Sequence, residues 1–224
     1  MFWIRGSTQN MKIVCMSDSH GFHHHVNVPD GDILLHAGDL TMSGEIDVLQ
    51  DVNKWFGTLP HSYKVVIAGN HDISLGKLYP LGSKIFTNAH YLLNSTIEIE
   101  GIKIYGSPYT PWNSEVYNYF AFGKPRYDMK DAWKGIPKEI DIILTHCPPN
   151  GILDKVLEKG FNPDEHVGDE LLLSKIKKYK PKYSVFGHIH EGYGIFRDKT
   201  TTFINCSVLN ESYNLVNEPV VIKW

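Results

Sequence analysis

The chain has 224 residues, of which 42% are hydrophobic and 21% charged, a composition ordinary for a soluble globular protein with an ample core. Its net charge of −3 gives no electrostatic argument for a nucleic-acid or membrane partner. No apolar stretch reaches the ~18 residues that a membrane-spanning helix needs. Lysines gather in Lys175–Lys182, where we expect a helix end, whose dipole favours cations, rather than a basic groove. The composition therefore predicts no membrane partner, gives no strong nucleic-acid signal and leaves the oligomeric state open.

The three cysteines, Cys15, Cys147 and Cys206, have no paired spacing. An odd, unpaired set argues against a disulfide scaffold and for a reducing compartment, so we expect a cytoplasmic protein. Residues 1–10 lack the long apolar core of a signal peptide, and we interpret them as an N-terminal extension or a remnant of the expression vector. We expect residues 11–224 to form a single domain.

Short apolar runs along the chain break into small residues followed by Asp, His or Asn. Five runs share this form: Ile13–Met16 before Asp18 and His20, Ile33–Leu35 before Asp39, Val65–Ile67 before Asn70 and His71, Ile142–Leu144 before His146, and Val185–Phe186 before His188 and His190. Such runs are typical of buried strands, and in open α/β sheets ligand chemistry gathers beyond the strand ends. Oxygen and nitrogen donors placed together at strand ends indicate a binding site for metal ions. The alternative, a set of polar strand caps without a metal, would leave converging acidic groups and imidazoles unpaired.

The remaining elements alternate between helix and strand patterns. Residues 44–56 carry apolar residues on one stripe and predict a helix that Ser43 caps. Alternation over Thr96–Tyr105 around Glu100-Gly101 predicts a β-hairpin. Residues Asp169–Tyr179 predict a second helix. Further strands are predicted in the tail at Gly194–Phe196, Thr202–Asn205 and Val220–Ile222. Parallel-type strands with an early crossover helix and later hairpins favour an α/β fold of two packed sheets with helices outside.

The polar groups at the strand ends form an ordered set. In chain order they are Asp18-x-His20, Gly38-Asp39, Gly69-Asn70-His71-Asp72, His146 and Gly187-His188-x-His190. This set resembles the calcineurin-like metallophosphoesterase family over about residues 12–210. The segments Asp30–Asp39, Leu59–His61 and His188–Gly194 are similar to one branch, the metallophosphoesterase-domain-containing proteins. The resemblance implies a four-layered α-β-β-α sandwich of two mixed sheets.

The resemblance also implies a pair of divalent metal ions and their ligands. In the family's arrangement, one ion is held by Asp18, His20 and His190, the second by Asn70, His146 and His188, and Asp39 bridges the two. Carboxylate, carboxamide and imidazole groups suit Mn, Fe, Zn or Co, of which we expect Mn. Two such ions about 3.5–4 Å apart can hold a hydroxide between them for in-line attack on phosphorus. Some members of the branch have glycine in place of His188 and are poor catalysts, so the histidine here favours an active enzyme.

His71 and Asp72 are the predicted catalytic residues. His71 directly follows the ligand Asn70, so its side chain is expected to project elsewhere, towards the substrate. The resemblance gives it the role of stabilising the transition state or protonating the leaving oxygen. Asp72 could raise its pKa and fix its tautomer. The alternative is that the His71-Asp72 pair only stabilises a turn.

The other histidines, Cys147 and an aromatic segment also have structural interpretations. The run His23–His25 looks like a metal tract but is expected in a solvated loop, and His36 is expected to be a core histidine. Cys147 follows His146 and is expected to be no ligand. The aromatic segment Pro108–Trp112, with Tyr119, Phe120 and Phe122, either forms a wall over the metals suited to nucleobase stacking or packs a long loop onto the second sheet.

We therefore expect a dinuclear metal-dependent phosphohydrolase. A phosphodiesterase acting on a small phosphoester, such as a nucleotide, is favoured. A phosphomonoesterase or nuclease is an alternative within enzymes, and the absence of a basic track weakens the nuclease. The alternative from another class is a nucleotide-binding scaffold protein with low turnover.

Overall fold

The computed structural model of the protein describes residues 10–78, 81–112, 120–157 and 165–224. Most of the expected N-terminal extension, residues 1–9, and Tyr119 of the aromatic segment lie outside these ranges. Within them the first sheet contains β1 (Lys12–Met16), β2 (Ile33–His36), β3 (Tyr63–Val66), β4 (His90–Tyr91) and β13 (Val220–Lys223) in the order β13-β1-β2-β3-β4. Strands β1 to β4 are parallel, and β13 is antiparallel at the edge.

The second sheet is also mixed. It contains β5 (Ser95–Ile99), β6 (Ile102–Ser107), β9 (Ile142–Thr145), β10 (Tyr183–Phe186), β11 (Gly194–Arg197) and β12 (Thr202–Asn205) in the order β11-β12-β10-β9-β6-β5. Its four central strands are parallel, whereas β5 and β11 are antiparallel edges. A separate parallel pair is formed by β7 (Thr110–Trp112) and β8 (Gly123–Pro125).

Helices cover the outer faces of both sheets. They are α1 (Ile46–Thr58), α2 (Ile73–Lys77), α3 (Leu81–Ile85), α4 (Met129–Ala132) and α5 (Glu170–Tyr179), with 3₁₀ turns at His23–His25, Arg126–Asp128 and His190–Gly192. The inter-sheet core includes Cys15 and Leu35 from the first sheet and Leu144 and Val185 from the second. A second core lies between the first sheet and α1, and a third between the second sheet, α4 and α5. The predicted four-layered α-β-β-α sandwich of two mixed sheets is confirmed.

Side-chain alternation explains why these strands separate two cores. In β1, Ile13 and Cys15 enter the inter-sheet core, while Val14 and Met16 face the core beneath α1. Successive side chains on a strand point to opposite faces, so a strand that is covered on both sides has a continuous run of apolar residues in its sequence. The free energy gained by burying both faces fixes the strand in place, because a slip of one residue would exchange the two cores.

Local predictions succeeded where short-range chemistry decides the structure. The hairpin is confirmed, with Glu100 and Gly101 at φ values of 49° and 80°, the left-handed backbone of a tight two-residue turn. Helix α5 begins after Asp169, whose side chain accepts a hydrogen bond from Leu172 N. The cap predicted for the first helix was wrong: α1 begins at Ile46 after Glu45, and Ser43 N instead donates to Glu45 Oε2 at 3.0 Å.

Candidate metal centre

The seven predicted ligands converge where the carboxyl ends of strands from both sheets meet. Asp18 and Asp39 follow β1 and β2 of the first sheet, and His146 and His188 follow β9 and β10 of the second. The two sheets are joined beside these residues, because Ser17 N donates to Cys206 O at 2.9 Å and Val208 N donates to Ser17 O at 3.0 Å. Side chains separated widely in sequence are thereby brought into one site.

Asp39 lies at the centre of this site. Its Oδ2 is 3.6 Å from His20 Nε2 and 3.3 Å from His146 Nε2, while its Oδ1 accepts a hydrogen bond from His71 N at 2.8 Å. His146 Nε2 is also 2.9 Å from Asn70 Oδ1. One carboxylate oxygen is therefore shared by two imidazoles.

Asp18 is the second buried carboxylate. His190 Nε2 lies 3.4 Å from its Oδ1. Its Oδ2 accepts hydrogen bonds from the hydroxyls of Ser17 at 2.5 Å and Ser207 at 2.6 Å, and His188 N lies 3.1 Å from both oxygens. The donors hold the carboxylate in one orientation, with Oδ1 towards His190. Sequence reasoning missed Ser207, whose Asn205-Cys206-Ser207 context suggested no role in the site.

Backbone carbonyls orient the ligand imidazoles. Nδ1 of His20 is 3.1 Å from Thr41 O, Nδ1 of His146 is 2.8 Å from Ala37 O, and Nδ1 of His190 is 2.9 Å from Asn210 O. A carbonyl can only accept, so Nδ1 carries the hydrogen in each ring and, when the ring is neutral, Nε2 has a free lone pair. This is the tautomer that metal-binding histidines use when their other nitrogen is held by a carbonyl.

The backbone of the centre is strained. Asp18, His20, Asp39 and His188 have φ values of 55°, 41°, 53° and 70°, in the left-handed region that residues with a Cβ seldom adopt. Such conformations each cost of order 1–3 kcal/mol and persist where the surrounding structure enforces them. Four of them within one group of side chains indicate that the fold places these residues for function.

Two glycines allow the close approach of the loops. A Cβ at Gly69 would overlap Asp39 Oδ1, and a Cβ at Gly187 would overlap both Asp18 Oδ2 and Ser17 Oγ. Any residue larger than glycine at these two positions would push the loops apart.

The donor set fits a pair of divalent cations. Within the described ranges, Asp18, His20 and His190 form one group, and Asp39, His146 and His188 another, with the ligand atoms of each group within 4.8 Å of one another. His20 Nε2 is buried and has no hydrogen-bond partner among the described residues, so a ligand is needed to satisfy it. His188 and His190, which follow one strand, are divided between the two groups as the resemblance implies.

The electrostatics of the site also favour bound cations. Burial opposes ionisation of Asp39, but the imidazoles of His146 and His20 more than offset it and hold its pKa well below the usual range. Burial lowers the pKa of His188 to about 3. Burial also lowers that of His190, but the Asp18 carboxylate outweighs it and raises the pKa to about 9. Ionised carboxylates thus draw positive charge into the site, and a divalent cation competes with protons for the same atoms.

Asp72 does not take the position predicted for it. Its buried carboxylate accepts hydrogen bonds from Thr41 N at 3.0 Å, Thr41 Oγ1 at 2.9 Å, Gly69 N at 2.8 Å and Leu40 N at 3.2 Å. The group that fixes the tautomer of His71 is instead the carbonyl of Met42, 2.7 Å from Nδ1. Asp72 therefore ties the loop after β2 to the loop after β3, and its direct role in catalysis has no support from these contacts.

His71 lies at the entrance of the centre. Its ring meets that of His20 edge-on at 4.8 Å between centroids and lies 4.9 Å from that of Phe120. The hydrogen bond to Met42 O leaves Nε2 as the atom available to a bound molecule. His71 also forms a third possible ligand group with His20 and Asp39, so its role must be tested separately from metal binding.

A cleft of about 950 Å³ opens over the ligands. Trp112 and Phe120 line it, stacked at 5.2 Å between centroids with 5° between their planes, and Trp112 lies 6.3 Å from His188. The two alternatives for the aromatic segment therefore both apply in part, because Trp112 and Phe120 lie beside the metal site while Tyr109 packs onto the core of the second sheet. Tyr213, which sequence reasoning missed, packs edge-on against His20 at 5.0 Å and lines the same cleft.

The remaining predictions for histidines and cysteines have different outcomes. His36 is a buried core residue, as predicted, with Nε2 3.2 Å from Ser19 Oγ. Cys147 lines the cleft but belongs to none of the ligand groups among the described residues, and burial raises the pKa of its thiol well above the ordinary value. The solvated loop predicted for His23–His25 was wrong for His23, which is buried in a 3₁₀ turn, whereas His24 and His25 are exposed as predicted.

A family model described as calcineurin-like phosphoesterase matches residues 11–192. The chain belongs to this family. Human metallophosphoesterase domain-containing protein 1 is 38% identical over 94% of this chain and 70% of the human protein. A UPF0046 protein of Caenorhabditis elegans is 34% identical over 96% of the chain and 75% of the worm protein. The chain is accordingly a metal-dependent phosphoesterase, of a family that uses divalent metal ions.

Solved structures share the fold at low sequence identity. TT1561 of Thermus thermophilus matches with a TM-score of 0.60 and 14% identity, over 96% of this chain and 99% of that one. Purple acid phosphatase PPD1 from yellow lupin (Lupinus luteus) seeds matches with a TM-score of 0.50 and 12% identity, over 99% of this chain and 50% of that one. At these identities the likeness concerns the fold alone.

None of the helices in the described ranges is both long and apolar enough to cross a membrane.

Proposed function

We propose that the protein is a dinuclear phosphodiesterase that hydrolyses a small phosphodiester, with nucleotides as the favoured substrate class. The observation that carries the proposal is the position of Asp39 between His20 and His146, each within 3.6 Å of the same carboxylate oxygen. A shared carboxylate between two ligand groups is what two neighbouring cations need, because a bridging anion offsets their mutual repulsion.

Two divalent ions bound there would supply Lewis acidity at the phosphoryl oxygens and an activated water near neutral pH. Asp18, His20 and His190 would hold one ion, Asn70, His146 and His188 the other, and Asp39 both. The ligands are held in place before substrate arrives, because serine hydroxyls fix Asp18 and backbone carbonyls fix three of the imidazoles. Mn is the ion we favour.

His71 would act on the leaving group. The Met42 carbonyl holds the hydrogen on Nδ1, so Nε2 gains a proton only when the ring becomes cationic. In that form Nε2 can donate to a phosphoryl oxygen or pass its proton to the departing alkoxide, which would otherwise leave as a strong base. Its ring packs against His20, so it lies beside the ligands.

The cleft supports a diester in preference to a small monoester. The stacked rings of Trp112 and Phe120 present a flat apolar wall beside His71 and His188. A diester carries a second organic group that must lie somewhere beyond the phosphorus, and such a wall suits a planar base, typically by about 1–3 kcal/mol for stacking. The volume of the cleft, about 950 Å³, falls in the range of small-molecule sites.

The test compares a chromogenic phosphodiester with the matching monoester, on metal-stripped protein reconstituted with Mn. His188→Gly removes one predicted ligand, and His25→Gly is the matched control at an exposed histidine outside the cleft. We expect diester turnover that collapses in His188→Gly and persists in His25→Gly. Monoester preference would replace the diesterase with a phosphatase, and tight nucleotide binding without hydrolysis of either substrate would refute the enzyme in favour of a scaffold.

A cytoplasmic location is part of the same proposal. All three cysteines are buried and unpaired, which suits a reducing compartment. Fractionation of the source cells would test it, with recovery in a secreted or organellar fraction as the contrary result.

A further inference from the structure

A second cluster of metal-ligating side chains lies at the histidine run. The 3₁₀ turn His23–His25 packs against α1, and Asp51 of that helix faces it. Nε2 of His23 is 3.1 Å and Nε2 of His24 is 2.8 Å from the same oxygen, Asp51 Oδ2. The two imidazole rings are 4.4 Å apart between centroids.

The cluster is separate from the phosphoesterase centre. His23, His24 and Asp51 are not among the residues that line the cleft. The rings of His23 and of Trp55 on α1 pack edge-on, with 5.4 Å between their centroids. The side chains of His24 and Asp51 are about half exposed, at 56% and 48%. An ion from solvent can therefore reach the ligand atoms without passing through the cleft.

We propose that His23, His24 and Asp51 form an additional binding site for a borderline divalent transition-metal ion such as Zn²⁺. The three ligand atoms lie within 4.8 Å of one another, as they do in each half of the phosphoesterase centre. Two imidazole nitrogens and one carboxylate oxygen are a donor set that Zn²⁺ accepts, with Zn–N distances of about 2.0–2.1 Å. The two N–O distances, 3.1 and 2.8 Å, are slightly shorter than the ~3.3 Å between ligand atoms that tetrahedral coordination at that Zn–N distance requires, so a small separation of the rings from the carboxylate admits the ion.

Two imidazole nitrogens converge on one carboxylate oxygen, an arrangement in which a cation can take the place of the two donated hydrogens. Without an ion, each ring must carry its hydrogen on Nε2 to donate. An ion reverses this requirement: both rings then offer the Nε2 lone pair, and the hydrogens move to Nδ1. At His24 that hydrogen reaches solvent, because the ring is exposed.

The same geometry limits the affinity. Nδ1 of His23 is buried and has no partner among the described residues. Strong zinc sites usually hold the second nitrogen of each histidine with an acceptor. We therefore expect moderate affinity for Zn²⁺, with water completing the coordination. The bound ion would link the turn that follows His20 to helix α1.

Zinc stoichiometry tests the site. Metal-stripped full-length protein is equilibrated with micromolar free Zn²⁺, and zinc per chain is counted by mass spectrometry after removal of unbound ion. His24→Ala and Asp51→Asn should each bind one zinc fewer than the unmodified protein, and His25→Ala, the matched control in the same turn, should bind the same number. Equal zinc counts in all four proteins would overturn the proposal, whatever ions the phosphoesterase centre holds.

A fluorescence readout locates the loss. Cu²⁺ bound at this cluster should quench Trp55, the ring that contacts His23. We expect the quenching to be smaller in His24→Ala and in Trp55→Phe by the same amount, while His25→Ala keeps it. Retention of full quenching in His24→Ala would place the copper elsewhere and refute the site. Circular dichroism on each variant guards against a loss caused by misfolding, and His24, being exposed, is a substitution the fold tolerates.

Discussion

The orientation of Asp18 provides the sharpest test of the metal centre. Its Oδ2 accepts hydrogen bonds from the hydroxyls of Ser17 and Ser207 at 2.5 and 2.6 Å, and all three side chains are fully buried. Ser207→Ala removes one hydroxyl and leaves the backbone contacts of residue 207 in place. Water has no room to replace the lost donor without rearrangement, so the carboxylate should lose part of its orientation.

The magnitude follows from the kind of bond removed. A hydrogen bond to a charged group contributes about 1.5–3 kcal/mol, and removal of a group that orients a metal ligand typically weakens metal binding by about 10–100-fold. The two ranges agree, because tenfold in affinity corresponds to about 1.4 kcal/mol. Since Ser17 still donates to the same oxygen, we expect Ser207→Ala to weaken Mn²⁺ binding by about tenfold rather than a hundredfold.

The assay is a competition titration of Mn²⁺ against a fluorescent chelator, with Ser184→Ala as the matched control. Ser184 is also fully buried, but its hydroxyl has no hydrogen-bond partner among the described residues. Its removal should leave Mn²⁺ affinity unchanged and should not lower the free energy of unfolding. Wild-type affinity in Ser207→Ala would refute the reasoning, since Asp18 would then either not bind metal or not need the hydroxyl.

Three further predictions concern the same centre. His71→Ala should lower kcat by about 10²–10³-fold with metal content unchanged; loss of metal, measured by mass spectrometry, would make His71 a ligand instead. Gly187→Ala should displace Asp18, because the added Cβ overlaps its carboxylate, so metal content and the free energy of unfolding should both fall, and a fully loaded variant would contradict the close approach. Burial lowers the pKa of His146 and His190, but the carboxylates beside them outweigh it and raise both to about 9. Since both folded-state values lie above the unfolded value of about 6.5, the stabilisation is complete below that pH and is lost as pH rises through 9, so the metal-free protein should melt at a lower temperature at pH 9 than at pH 6.5. An unchanged or higher melting temperature at pH 9 would contradict these shifts.

Much of the fold could be predicted because local pattern and burial agree. The apolar runs became buried strands, and the Glu100-Gly101 turn became a hairpin because Gly101 accepts the left-handed backbone of such a turn and the residues on both sides alternate as paired strands do. The ligand candidates were found because each lies within four residues of the end of a strand. Their convergence follows from parallel strands, whose carboxyl ends share an edge of the sheet.

The contacts that orient the ligands could not be predicted, because they come from the backbone or from distant segments. The carbonyl of Met42, which holds His71, carries no side-chain signal. Ser207 and Tyr213 reach the site through the tertiary structure, from loops with no motif of their own. For His23 the missing information was Asp51, which lies 28 residues further along the chain and faces it only once α1 packs against the turn.

The position of the centre at the junction of the two sheets has a consequence for how the protein folds. Asp18 contacts the backbone of His188 across 170 residues of sequence, and the bonds of Ser17 to the segment around Cys206 join the sheets beside it. Contacts of such long range form late in folding, because closing the loop between the two residues costs chain entropy before the contact can stabilise the fold. Each of the two ligand groups assigned to the metal pair takes residues from both sheets. Bound metal should therefore slow the separation of the two sheets specifically, and amide hydrogen exchange at the ends of β1 and β12 should be the first to record its removal.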